Sequence, residues 1–67
     1  MNKAKLRSVM VLHGETMTDL ARVLGISESS LRNKMNERKS EFKQGEIAKI
    51  QEHYGLTADE VVAIFFS

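Results

Sequence analysis

The chain has no cysteine and no proline, and three Phe and one Tyr are its only Phe, Tyr or Trp residues. Without cysteine neither a disulfide framework nor a thiolate metal site can form. Stability must therefore come from helix packing and, where that falls short, oligomerisation, and a cytoplasmic setting fits best. Without proline a common helix breaker is gone, and a 42% hydrophobic fraction built mostly from aliphatic residues and Met suits a helical bundle, so an all-α fold is expected. Val9 to Leu12 is an apolar run of only four residues, too short for a signal peptide or a membrane span. A soluble, unprocessed chain with no membrane partner follows. At 67 residues there is room for one small domain, residues 1–67, and none for a cleft between domains. No glycine-rich phosphate loop and no nucleophile beside a base can be found. His13 and His53 stand alone, without a carboxylate cluster at ligand spacing, and read as packing or capping groups. No enzyme, metal, cofactor or small-molecule ligand is expected.

Charge of one sign is not abundant overall, the net value being +1, but it is unevenly placed. Residues 1–43 hold nine Lys/Arg against five Asp/Glu, and residues 44–67 hold one against four. A positive part and a negative part suit docking on a polyanion, although a solvated charged surface shows some asymmetry too.

What is present is organised around Thr16 to Asn36, TMTDLARVLGISESSLRNKMN, which reads as two short helices hinged at a glycine. Thr16 followed by Asp19 is a capping signal, its hydroxyl placed to accept from a first-turn N–H. Leu20, Ala21 and Leu24 form an inward stripe. Gly25 then supplies the left-handed residue at which a helix stops, with Ile26 as the buried anchor behind it. Ser27 restarts the chain as an N-cap. From Glu28 the next helix keeps Leu31 and Met35 inward at i, i+4 and leaves Glu28, Ser29, Arg32, Asn33 and Asn36 on its other face. This is the pattern of a helix-turn-helix.

The rest of the chain fits around it. Asn2 to His13 is expected as helix 1, with Leu6, Met10 and His13 on one side, Lys3, Lys5 and Arg7 mostly on the other, and Gly14 as its end. Val9 to Leu12 is apolar on more than one face, so the terminal phenylalanines or a second subunit could cover Val9 or Leu12; scattered exposed apolar residues are the plainer alternative. Glu37 to Glu41 is a polar loop, and Phe42 plugs the core. Helix 4 runs from about Gln44 to Tyr54, burying Ile47, Ile50 and Tyr54, and ends at Gly55 with Leu56 packed behind the stop. Thr57 and Glu60 form a second capping box that opens helix 5, where Val61, Val62, Ile64 and Phe65 add to the core.

Taken in order, Thr16, Leu20, Ala21, Leu24, Gly25, Ile26, Ser27, Ser29, Leu31 and Asn36, then Phe42, Glu46, Ile47, Tyr54 to Thr57, and Asp59 to Val61, resemble the phage repressor and Cro type of helix-turn-helix regulator, the XRE family. The likeness runs from about Leu6 to Phe66. It implies a compact five-helix, lambda-repressor-like domain, a double-stranded DNA operator as partner, and a homodimer reading half-sites about one helical turn apart. It places base readout in the major groove at Ser27, Glu28, Ser29, Arg32 and Asn33. Arg pairs bidentately with guanine and Asn with adenine, each good pair discriminating by about 1 to 3 kcal/mol. Glu28 has two readings, acceptance from cytosine or stabilisation of its own helix N-terminus. Phosphate contacts are implied at the Thr16 and Met17 backbone and at Asn36, Arg38, Lys39 and Lys43.

Four positions depart from the family pattern. Met17 stands for a common Gln, Glu37 for a common Gly, and Lys34 for a buried apolar residue, its stem covering the core while the ammonium stays wet. Met10 and Met35 replace an ion pair seen in some relatives and are expected to touch. The terminal Phe65 and Phe66 cannot both be buried by one helix face, so one of them is a dimer-contact candidate, with a fold back onto Val9 or Leu12 as the alternative. Val9, Leu12 and this apolar end also suit a second reading, an antitoxin-like or adaptor module that uses the same fold to bind protein.

Overall fold

Short helices depend on how their ends are satisfied, and here the end chemistry sets every boundary. A computed structural model describes residues 1–37 and 40–67, so the phosphate contacts expected of Arg38 and Lys39 lie outside the described residues. Five helices, α1 (Lys3–Leu12), α2 (Met17–Leu24), α3 (Glu28–Met35), α4 (Gln44–Tyr54) and α5 (Ala58–Phe65), are the only regular elements among them. Asn2 caps α1 by accepting from the Lys5 N–H, and Ser27 caps α3 by accepting from Ser30. Reciprocal boxes open α2, between Thr16 and Asp19, and α5, between Thr57 and Glu60. At α4 the Lys43 N–H donates to Glu46 Oε1 at 2.8 Å.

Gly25 stops α2 in the left-handed region at φ 70°, and the Ile26 N–H then reaches back to Ala21 O at 3.0 Å. This is the turn that lets α3 leave at an angle to α2. The packing pairs are α2 with α3 and α4, α1 with α5, and α4 with α5. Leu6, Leu20, Leu31 and Ile50, one from each of the first four helices, are fully enclosed where these pairs meet. Each such side chain contributes about 1.5 to 3 kcal/mol by leaving water. Met10 and Met35 belong to the same buried cluster, as do Tyr54, Leu56, Val61 and Ile64.

Several expectations need correction. Val62 is 55% exposed, because the inward stripe of α5 is Val61 and Ile64 at i, i+3 and residue 62 lies off it. His13 is exposed and not on the inward side of α1, but it stands at the C-cap, one of the two roles expected of it, with its ring 4.9 Å from that of Tyr54. Phe65 is half-buried against Phe42, the rings edge-on at 5.5 Å, while Phe66 is 66% exposed. Neither covers Leu12, which is 84% exposed, whereas Val9 packs partly against the core.

Lys34 departs furthest from expectation. Its ammonium is not in water: Nζ lies 3.2 Å from Glu46 Oε1 and 3.4 Å from the Glu41 carbonyl, and both charged side chains are largely enclosed. Burial pushes the Glu46 carboxyl up, but the Lys43 N–H and the Lys34 ammonium outweigh it and hold the group below its ordinary value. The pair ties α3 to α4 across the loop. Glu37 marks a strained position at the start of that loop, with φ 55°, a region that costs a non-glycine residue about 1 kcal/mol or more. Gly fits there without penalty, which accounts for its use by relatives.

Two outcomes follow for stability. Lys34→Met together with Glu46→Gln should come close to the parent, since both charges of the buried pair are gone and Gln can still accept from the Lys43 N–H, whereas Lys34→Met alone strands the carboxylate and Glu46→Ala alone strands the ammonium and opens the α4 cap, each costing about 3 kcal/mol; urea titration measures all three. Glu37→Gly should stabilise by about 0.5 to 1 kcal/mol, seen as a rise of a few degrees in the thermal midpoint, because the exposed contact it loses is worth less than the strain it relieves.

Candidate nucleic-acid interface

The outer face of α3 follows from its inner one. Leu31, Lys34 and Met35 are buried, so Glu28, Ser29, Arg32 and Asn33 point away from the core and are exposed, with Asn36 one turn beyond at the C-cap. The Arg32 and Asn33 side chains have no partner among the described residues, leaving a guanidinium fork and an amide free. Ser27 lies at the turn and is exposed, but its hydroxyl accepts from Ser30 N–H at 3.1 Å and donates to Ser30 Oγ at 3.0 Å. Its proton is committed to the cap. Glu28 sits in the first turn of α3, where a carboxylate favours the helix dipole.

The phosphate positions separate into groups. At the start of α2 the Thr16 N–H is already taken by Asp19 Oδ2 at 2.8 Å, and the Thr16 hydroxyl donates to the same oxygen at 3.0 Å. The expected free donor at Thr16 is thus corrected. The backbone N–H groups of Met17 and Thr18, next in the first turn, have no acceptor among the described residues. The Thr16 N–H holds the Asp19 carboxyl below its usual range, so a fixed negative charge stands beside them. At the far end of α3 the Asn36 side chain is held by Lys3, whose Nζ donates to Asn36 Oδ1 at 2.7 Å. Lys43 is exposed at the start of α4.

Two features here were not visible in the sequence. Lys3 comes from the first turn of α1, 33 residues from Asn36, and nothing local marks that meeting. The other is the contact behind the start of α2. His53 Nε2 lies 2.8 and 2.9 Å from the two Glu15 carboxylate oxygens, joining the end of α4 to the residue before Thr16. The His53 bond is the main reason that the Glu15 carboxyl sits below its ordinary value. The rings of His13 and His53 both lie against Tyr54, whose buried hydroxyl makes no well-aligned hydrogen bond among the described residues. Burial, then the neighbouring Glu15 charge, pushes that phenol up. Among the described residues no group of three His, Cys, Asp or Glu is placed to hold a metal ion, and no helix is long and apolar enough to cross a membrane.

Two short helices set at an angle by a left-handed glycine, the second presenting a polar face, define a helix-turn-helix. The family model described as Cro/C1-type HTH DNA-binding domain matches residues 5–65, and the chain belongs to that family. It is a DNA-binding transcriptional regulator of the helix-turn-helix class. No curated protein and no solved structure matches the chain.

The Glu15–His53 contact has a pH consequence. A depressed carboxyl contributes stability that is present above its unfolded value and lost as pH falls through its lower folded value. His53→Gln should let Glu15 return toward its ordinary value, so acid unfolding followed by circular dichroism should begin at higher pH than in the parent. An unchanged acid limb would show that the contact does not act on Glu15.

Proposed function

We propose that this regulator binds a specific operator of the phage or prophage repressor kind, laying α3 in the major groove of double-stranded DNA. The observation that carries the reading is the face of α3. Arg32 and Asn33 are exposed and unpartnered among the described residues, on a helix held from behind by Leu31 and Met35 and fixed at its start by Ser27. Side chains that read base edges must project from a rigid element, and these do. Ser29 stands on the same face, with Ser27 and Glu28 at its N-terminal edge. Met17, Asn36 and Lys43 are the proposed phosphate contacts among the described residues, with Thr16 contributing position more than a free donor. Arg38 and Lys39 are proposed from the sequence alone. The protein works in the cytoplasm, where its operator is, and without an enzymatic step.

The regulator acts as a homodimer, since a two-fold operator is read by a two-fold protein. Of the two terminal phenylalanines, Phe66 is the contact: Phe65 is committed to Phe42, and Phe66 is 66% exposed. One observation favours the adaptor reading. Between α1 and α5 lies an open groove of about 420 Å³, with Val9 and Leu12 on one wall and Ala63 and Ile64 on the other. Such a groove suits a protein partner and does not conflict with DNA at α3.

The test is fluorescence anisotropy of a labelled random-sequence duplex, then of a selected operator, at two salt concentrations. The parent should bind more weakly as salt rises. Arg32→Ala with Asn33→Ala should lose about 2 to 6 kcal/mol of operator preference over the random duplex. Phe66→Ala should weaken operator binding and leave the protein monomeric by sedimentation. A folded parent that binds no duplex at low salt would make the fold an interaction scaffold instead.

A further inference from the structure

Helix α1 carries three basic side chains, Lys3, Lys5 and Arg7, and the structure sends them in two directions. Lys5 lines the groove between α1 and α5, beside Asp59 and Glu60. Lys3 and Arg7, four residues apart, share the opposite side and are both exposed. Lys3 touches Asn36 at the exit of α3. Arg7 lines a shallow depression with Glu15, Thr16 and Met17, at the entrance of α2. One face of α1 thus spans the two ends of the helix-turn-helix.

We infer that this Lys3–Arg7 ridge is a DNA phosphate-binding surface, bridging the contacts at the start of α2 and the end of α3 into one track along a strand. The inference rests on the proposed docking of α3. Its geometry is set by a helical rise of about 1.5 Å per residue, which puts the two side chains about 6 Å apart along α1, against one phosphate per about 3.4 Å of axis on each strand. Two neighbouring phosphates are within reach of such a pair. At the Lys3 end, Asn36 Oδ1 accepts from the ammonium, so the Asn36 NH₂ group and the remaining ammonium hydrogens form a cluster of donors with no acceptor among the described residues. Three carboxylates near the track keep their charge, but each is already hydrogen-bonded within the protein and does not take the cations of the ridge. Glu15 is held by His53 Nε2 at 2.8 Å, Asp19 by Thr16, and Glu37 by the Met1 ammonium at 2.8 Å.

A cation at the end of α3 also favours that helix's own dipole, so affinity alone does not separate the roles. The salt dependence does. Lys3→Gln and Arg7→Gln should each lower the slope of log K against log salt by about 0.9 per chain bound, and the double variant by about 1.8, with preference for the operator over a random duplex retained. Lys3→Arg should restore the parental slope. Lys5→Gln removes the same charge from the same helix and should leave the slope unchanged. A double variant with the parental slope, or a Lys5→Gln effect equal to that of Lys3→Gln, overturns the ridge while Arg32→Ala with Asn33→Ala still loses operator preference. A folded parent that binds no duplex overturns the docking itself and the ridge with it.

Discussion

No helix in this chain can stand alone. The longest has eleven residues and three have eight, lengths at which an isolated helix is marginal in water. The polar face of α3 therefore exists only while Leu31 stays in contact with the side chains that enclose it. Leu6, Leu20, Leu31 and Ile50 come from four different helices, and their joint burial is what turns five weak elements into one body. Capping sets where each helix begins and ends. Burial sets where each one points.

Between the helices, polar pairs add direction that a greasy core lacks. Lys34 with Glu46 joins α3 to α4, Glu15 with His53 joins the turn before α2 to the end of α4, and Lys3 with Asn36 joins α1 to the exit of α3. Two of the three, at Lys34 and Asn36, fasten the C-terminal end of α3, and the third fastens the entrance of α2. The buried pair is weak as a source of stability, because removing two charges from water offsets most of their attraction. Separating its partners is costly, since either charge would then be enclosed without the other.

The division between what could and could not be read from the sequence follows from distance along the chain. Thr16 with Asp19, Ser27, Gly25, Thr57 with Glu60, and the limits Gln44 and Tyr54 of α4 obey rules that act within three or four residues. The exposed face of α3 was legible for the same reason, as the complement of Leu31 and Met35. Lys34 with Glu46, Glu15 with His53, and Lys3 with Asn36 were not, because such meetings depend on helix crossing geometry that no local pattern encodes. Val62 shows the limit inside a single helix: in the run Val61, Val62, composition cannot say which residue faces inward until the partner helix is placed. At Ser27 and Thr16 the local pattern marks a cap, and the cap has a cost to binding: a hydroxyl or N–H spent on it is not free for DNA.

Affinity and selectivity then fall on different parts of the molecule. A net charge of +1 is too small for bulk attraction to a polyanion to decide anything, so position must decide. On α3 the one exposed cation is Arg32, and it shares its turn with Glu28, Ser29 and Asn33, a nearly neutral set suited to discriminating bases. Other exposed cations lie around it, on α1 and at the start of α4, where on the proposed docking they would add attraction without sequence information. Acidic Asp59 and Glu60 sit across the α1–α5 groove with Lys5, on the side of α1 away from Asn36, so the charge around α1 is uneven. On the proposed docking, such an arrangement would let operator preference change through α3 alone while the salt-dependent grip stays constant, because the two would depend on different side chains.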